Sequence, residues 1–202
     1  MKKLAIMLLA AMLLLPSLNA WAAQDELRIF IWSEYLDPDI PAQFEAETGI
    51  KVRMDLYESN EDMLAKLQAG GVSQYDIIVP SDYVMPALIE LGLIQKLDHA
   101  QLPNLKNLKP LFTKTAYDPG NKYTAAYQWG TVGLLYRTDL VKDYNGSWST
   151  LFDPAKSPGN FLLIDSSREM LGIALLYLGH DFNSTNPTEL LAAADLLAKT
   201  KK

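Results

Sequence analysis

Three short segments of the chain place carboxylates beside hydroxyls, and two of them add aromatic rings. They are Trp32-Ser33-Glu34-Tyr35, Ser81-Asp82-Tyr83 and Asp165-Ser166-Ser167-Arg168-Glu169. Carboxylates accept hydrogen bonds from ammonium groups, while aromatic faces attract cations and pack against methylenes. A charge-assisted hydrogen bond contributes about 1.5 to 3 kcal/mol, and a desolvated cation–π contact adds about 0.5 to 2 kcal/mol. A few of each reach the ~8 kcal/mol that a micromolar dissociation constant requires, so these segments favour a diammonium ligand.

Each of the three segments directly follows a run of apolar residues that predicts a β-strand. The runs are residues 27–31, 76–80 and 161–164. In an open α/β sheet, ligands bind outside the carboxyl ends of the strands. We therefore expect the three segments to lie at the ligand-binding edge of a sheet.

Further strands and helices alternate along the chain, which predicts an α/β fold with a mostly parallel sheet covered on both faces. Four more strands are predicted at residues 50–56, 94–97, 123–128 and 131–136. Helices are predicted at residues 41–48, 60–69, 83–91 and 167–178 and from Pro187 onward, with Asn60 and Asn186 as N-caps. Residues 98–121 are rich in proline, asparagine and lysine and predict a long surface segment.

Trp129 and Gly130 separate two of these strand-like runs and mark a crossing point between two lobes. We predict an initial first-lobe segment over residues 24–128 and the start of a second lobe over residues 131–202. A chain of this length can bury one good core or two small ones.

The first residues have the parts of a secretory signal peptide. Lys2 and Lys3 form a positive n-region, residues 4–15 form an apolar h-region, and Ala20 and Ala22 supply the small residues of a cleavage site. The alternative is a membrane anchor, but an apolar stretch of about 12 residues is too short for a hydrocarbon core that needs about 20. We expect residues 1–22 to be removed and the chain to have no stable membrane insertion.

Charge and motif content exclude several classes of protein. The chain has 18 basic and 24 acidic residues, and loss of Lys2 and Lys3 with the signal peptide leaves a net charge of −8. This balance argues against nucleic acid as a partner. The sequence has no cysteine and lacks Gly-x-Ser-x-Gly, His-Glu-x-x-His and phosphate-binding glycine motifs. We predict a protein that binds its ligand without an enzymatic step, a metal or a cofactor, and an exported hydrolase is the alternative.

At the predicted ligand loops the sequence resembles the periplasmic polyamine-binding proteins of ABC uptake systems. The segments that carry the resemblance are Ile31-Trp32-Ser33-Glu34-Tyr35, residues 44–52, Tyr57-Glu58-Ser59-Asn60-Glu61, residues 75–81 and Tyr127-Gln128-Trp129-Gly130-Thr131. The resemblance implies a two-lobed, type II-like α/β fold and a periplasmic, monomeric receptor. It further implies closure of the lobes around putrescine or spermidine and delivery to an inner-membrane ABC permease.

The resemblance also implies roles for individual residues. The first-lobe residues that match the family's ligand loops are Trp32, Ser33, Glu34, Tyr35, Ser81 and Tyr83. Trp32 would pack against the methylenes of the polyamine, and Tyr83 would form an aromatic wall. The remaining four would line the site or hydrogen-bond to the ligand.

In the second lobe, Glu169 matches an amine-binding carboxylate of the family. Ser166 stands where spermidine-preferring members have an acid, which leaves the preferred polyamine open. The spacing of Ser166 and Glu169 also fits a capping box at the start of a helix, so a capping role for Glu169 is the alternative.

Members of this family continue well beyond the length of this chain. The resemblance therefore implies that the second lobe is incomplete and that part of the ligand site is missing. A truncated receptor that binds nothing is accordingly the main alternative to a working polyamine receptor. A metal or an anionic solute would need a cluster of histidines and tyrosines or basic loops, and the three segments contain neither.

Overall fold

The computed structural model describes residues 25–142, 144, 146–157 and 159–200. The predicted signal peptide lies outside these residues. The chain divides into two compact units, the first ending at Tyr127 and the second beginning at Gln128. Within the described ranges, every helix is too short or too polar to cross a lipid bilayer.

A three-stranded parallel sheet forms the centre of the first unit. Its strands are β1 (Glu26–Trp32), β2 (Lys51–Tyr57) and β3 (Ile77–Ile78), in the order β2-β1-β3. The predictions for β1 and β2 are confirmed, whereas β3 is shorter than the predicted run. In the register, Trp32 pairs with Tyr57 at the carboxyl end of the sheet.

Three helices accompany this sheet. They are α1 (Asp39–Thr48), α2 (Asn60–Gln68) and α3 (Met85–Glu90). Gly49 ends α1 with a φ of 74°, a left-handed conformation that glycine adopts without steric cost. The prediction that Asn60 caps α2 is wrong, because Ser59 has the extended backbone of an N-cap and its Oγ accepts the Asp62 N–H at 3.1 Å.

The main core of the first unit lies on one face of the sheet. Its buried side chains are Phe30, Tyr57, Met63, Leu67, Val84, Met85 and Leu88. On the opposite face Ile31 is 3% exposed, whereas Leu56 is 57% exposed and Met54 and Ile77 are also exposed. Within the described residues the predicted cover on both faces is therefore only partly formed, because the second face is buried at Ile31 and open at these neighbours.

Several predicted strands are not formed within the described ranges. Residues 94–97, 123–128, 131–136 and 161–164 have no strand partner there, and residues 98–121 contain three short 3₁₀ turns. The side chains of Leu135 and Leu162 are almost fully exposed. A strand needs a neighbouring ladder to satisfy its backbone N–H and C=O groups, and an apolar sequence alone does not provide one.

Helices build the second unit. They are α4 (Ser149–Phe152), α5 (Ser167–Tyr177) and α6 (Pro187–Thr200). The core of this unit contains Leu151, Phe152, Met170, Ile173, Ala174, Leu175 and Ala193. The predicted start of α6 is confirmed, because Asn186 Oδ1 accepts the Thr188 N–H at 2.9 Å and Pro187 occupies the first helical position.

Candidate functional site

The loop after β1 holds the first group of predicted site residues. Trp32 ends the strand, and its ring lies 4.7 Å from the Tyr57 ring and 6.0 Å from the Tyr35 ring, measured between centroids. Ser33 is half-buried, whereas Glu34 and Tyr35 are exposed. The chain turns at Glu34, which has a φ of 60°. This left-handed conformation costs a non-glycine residue about 1 to 2 kcal/mol, a strain of the kind that clusters at ligand loops.

Tyr127 fixes the far end of this loop. Its hydroxyl donates a hydrogen bond to the backbone oxygen of Tyr35 at 2.8 Å. The bond joins residues that are 92 positions apart in the sequence. It therefore fastens the end of the first unit to the loop that carries Trp32 and Glu34.

The second predicted loop follows β3. Ser81 is half-buried, and the 3₁₀ turn Asp82–Val84 contains Tyr83. The Tyr57 hydroxyl donates to the backbone oxygen of Val79 at 2.5 Å and so ties this segment to β2. Burial raises the pKa of Tyr57 well above its usual value of 10.0, and Tyr35 and Tyr83 add to the shift. The Tyr57 phenol therefore stays protonated at neutral pH and keeps donating to Val79. Its ring also packs against Trp32, so Tyr57 contacts both loops.

Sequence patterns predicted a capping role for Asn60 and did not place it in the site. It is 2% exposed, its Nδ2 donates to the Tyr83 hydroxyl at 2.9 Å, and its Oδ1 accepts the Ser81 N–H at 3.1 Å. The Tyr83 hydroxyl in turn donates to Glu61 Oε1 at 3.2 Å. The signal in the sequence was the Ser-Asn pair at the start of a helix, where Ser59 caps the helix and leaves the Asn60 amide for another role.

In the second unit, Ser166 and Glu169 lie at the start of α5. Ser166 is the N-cap residue, and its hydroxyl donates to Glu169 Oε2. The predicted alternative was a capping box, in which each side chain bonds to the backbone of the other residue. The Ser166 side chain makes no such capping bond, so the two side chains bond to each other instead. Glu169 is half-buried and Asp165 is exposed.

The first unit thus brings six of the eight predicted site residues to the carboxyl edge of its sheet. Ser166 and Glu169 belong to the second unit.

Among the described residues, no group of three histidine, cysteine, aspartate or glutamate side chains could hold a metal ion. Both histidines have partners. His99 Nε2 contacts Asn121 O at 2.6 Å, and His180 Nδ1 lies 3.6 Å from Glu189 Oε1.

Comparison with known proteins gives consistent matches along the chain. The family model of the bacterial extracellular solute-binding proteins matches residues 40–202. A putrescine-binding periplasmic protein of Pseudomonas aeruginosa, SpuD, is 41% identical over 187 residues, which cover 87% of this chain and 51% of that protein. The spermidine/putrescine-binding periplasmic protein of Escherichia coli is 40% identical over 202 residues, which cover 98% of this chain and 58% of that protein.

Solved structures agree with these sequence matches. A putative spermidine/putrescine ABC transporter protein from Listeria monocytogenes has a TM-score of 0.81 and 42% identity, over 88% of this chain and 55% of that one. The Tp0655 (TpPotD) lipoprotein of Treponema pallidum has a TM-score of 0.76 and 32% identity, over 87% of this chain and 55% of that one. The chain spans about half the length of the relatives that it matches.

Proposed function

Because this chain belongs to the family of bacterial extracellular solute-binding proteins, we propose that it binds polyamines in the periplasm for an ABC uptake system. The predicted α/β solute-binding fold is confirmed by the matched structures, of which the chain covers about half. The relatives carry names that specify putrescine or spermidine, which supports this ligand class.

One observation carries the proposal. The carboxyl edge of the first-unit sheet presents Trp32, Tyr35 and Tyr83 together with the carboxylate of Glu34. Aromatic faces bind methylenes and cations, and a carboxylate accepts N–H hydrogen bonds. A polyamine has both kinds of group in alternation, so its chemistry fits this edge of the sheet.

The rings at this edge are held before any ligand arrives. Trp32 packs on Tyr57, Tyr57 bonds to the backbone after β3, and Tyr127 bonds to the backbone of the Trp32 loop. A wall that is already in place loses little conformational freedom on binding, which favours affinity. In this mechanism Trp32 packs on the methylenes, while Ser33, Glu34 and Ser81 contribute polar groups to the ligand.

Glu169 supplies an amine-binding carboxylate on the second lobe. The Ser166 hydroxyl bonds to this carboxylate at the N-terminus of α5 and orients it. Ser166 carries no negative charge, whereas an acid at residue 166 would add a second one beside Glu169. At the start of α5 the ligand therefore meets a single carboxylate, that of Glu169.

We further propose a two-lobed organisation for the exported protein. Residues 24–128 are the initial segment of the first lobe, and residues 131–202 are the start of the second. Residues 1–22 direct export and are removed. The lobes close around the polyamine, and the closed, monomeric receptor presents it to the inner-membrane permease without a cofactor or a covalent step.

Substitution of the aromatic wall tests the proposal. Trp32→Ala in the exported, processed chain should weaken putrescine binding by about tenfold or more in a calorimetric titration, because it removes both packing and cation–π contact. Leu111→Ala is a matched control, because that large apolar side chain is 70% exposed and lies outside the ligand loops. Equal affinities for the two variants would remove Trp32 from the site.

A further inference from the structure

The start of α2 holds a hydrogen-bonded chain that none of the predicted ligand contacts accounts for. The buried Asn60 amide bridges the Ser81 N–H and the Tyr83 hydroxyl, and Glu61 accepts a hydrogen bond from the same hydroxyl. Ser59 already caps this helix, so Asn60 is not needed for that purpose. Burying an amide is costly unless each of its polar groups is paired, and both groups of Asn60 have partners in the neighbouring loop.

The chemistry of the groups fixes the direction of each bond. The Ser81 N–H can only donate, so the side-chain atom of Asn60 that it meets is the oxygen. The other Asn60 atom is therefore the amide nitrogen, and in its bond to Tyr83 the phenol oxygen is the acceptor. The single proton of the phenol is left to bond with the Glu61 carboxylate. Any further partner of the Tyr83 oxygen has to be a hydrogen-bond donor.

The carboxylate of Glu61 adds an electrostatic bias to this geometry. A phenol that donates to a carboxylate becomes a stronger acceptor, because hydrogen bonds in a chain polarise one another. An ammonium group meets both requirements, since it carries only donors and a positive charge. A ligand that presents an oxygen acceptor or an anion to Tyr83 would leave that group unpaired and repelled.

We propose that Asn60 and Glu61 are positioning residues that fix Tyr83 as an acceptor and thereby select ligands with protonated amino groups. The inference rests on the proposed polyamine-binding function and names the device that gives Tyr83 its preference. Asn60 sets the orientation of the phenol, and Glu61 sets its charge bias.

Calorimetric titration of the exported, processed chain with putrescine tests the selection. Glu61→Gln keeps an acceptor oxygen but removes the charge, and it should weaken binding by about tenfold, the effect of one charge-assisted hydrogen bond. Glu58→Gln is the matched control, since both carboxylates are exposed and lie near the same end of α2, but it is Glu61 that accepts the Tyr83 hydroxyl. Glu58→Gln should change affinity by less than about twofold, because it removes the same screened charge without touching the bond to Tyr83. Equal losses in the two variants would overturn the inference in favour of general electrostatic attraction.

A double-mutant cycle shows whether Glu61 acts through the phenol. In a Tyr83→Phe background, Glu61→Gln should have little further effect on putrescine affinity, since the two residues share one bond. A full tenfold effect in that background would contradict the positioning role.

If the wild-type chain binds neither putrescine nor spermidine, the proposed function fails and the selection fails with it. Unchanged variants beside a wild type that binds overturn the inference alone.

NMR separates positioning from general stability. The Cζ resonance of Tyr83, identified by its loss in Tyr83→Phe, reports the bonds of the hydroxyl. Glu61→Gln should shift this resonance and leave hydrogen exchange at the Ser81 amide unchanged. Asn60→Leu should shift the resonance and also speed that exchange, because it removes both bonds of the amide. An unshifted resonance in both variants would refute the arrangement.

Discussion

Gly172 lies within α5, the helix that carries Glu169 near its start, and its lack of a side chain is required by a close neighbour. An ideal Cβ at this position would lie 2.6 Å from Cδ2 of Phe182 and closer still to Cε2 and Cζ. Ordinary carbon–carbon contacts are about 3.5 to 4.0 Å. The Phe182 ring would have to move by about 1 Å or more to admit a methyl group.

Two opposing effects set the magnitude for Gly172→Ala. Alanine in a helix interior is favoured over glycine by about 1 kcal/mol. Overpacking of a core costs about 1 to 3 kcal/mol, and a clash with several ring carbons lies at the upper end of that range. We expect a net loss of about 1 to 2 kcal/mol, which lowers the Tm of a unit of this size by about 5 to 10 °C.

Thermal unfolding followed by circular dichroism measures this effect, because the second unit is built from helices. Gly133→Ala is the matched control in the same unit, since a Cβ there meets nothing within 4 Å. It should be neutral or slightly stabilising. Phe182→Leu should reduce the cost of Gly172→Ala by removing the ring carbons that cause the clash. A Gly172→Ala chain that is more stable than the wild type would refute the packing argument.

Three further predictions concern the first unit. Asp118→Ala should destabilise it by about 3 kcal/mol or more in urea unfolding, because this buried carboxylate accepts the backbone N–H groups of residues 122–124; a loss below about 1 kcal/mol would contradict that role. The raised pKa of Tyr57 means that the unfolded chain releases this phenol proton first, so stability is full below pH 10.0 and falls as the pH rises above it. Tyr57→Phe should flatten this alkaline fall in stability. It should also cost about 1 to 3 kcal/mol of unfolding free energy at neutral pH, because it leaves the Val79 carbonyl unpaired. An unchanged alkaline slope would show that the fall does not come from Tyr57. Glu34→Gly should relieve a left-handed φ and raise stability by about 1 kcal/mol while lowering polyamine affinity in calorimetry; unchanged affinity would exclude Glu34 from the site.

The sequence predicted those features that depend on local patterns. The apolar runs of β1 and β2, the end of α1 at residue 48 and the Asn186-Pro187 start of α6 all follow from residues within one or two turns. Local chemistry also placed the Trp32 loop directly after a strand.

Features that depend on distant partners were not predictable in this way. Residues 131–136 and 161–164 have strand-like sequences but find no ladder within the described ranges. Ser59 and Asn60 are both good capping residues, and only their surroundings decide that serine caps the helix and asparagine holds Tyr83. Ser166 and Glu169 have the spacing of a capping box, but their side chains bond directly to each other. A hydroxyl can donate to a carboxylate as readily as accept from a backbone N–H, and spacing alone does not decide between the two.

Calorimetric titration of the wild-type chain without residues 1–22 decides whether the protein binds polyamines. The ligands are putrescine, spermidine and butanediol, which has the methylenes of putrescine but no ammonium groups. We expect saturable heat at micromolar concentrations with at least one polyamine and none with butanediol. Absence of saturable heat with both polyamines, or equal binding of butanediol, would contradict polyamine binding by this chain.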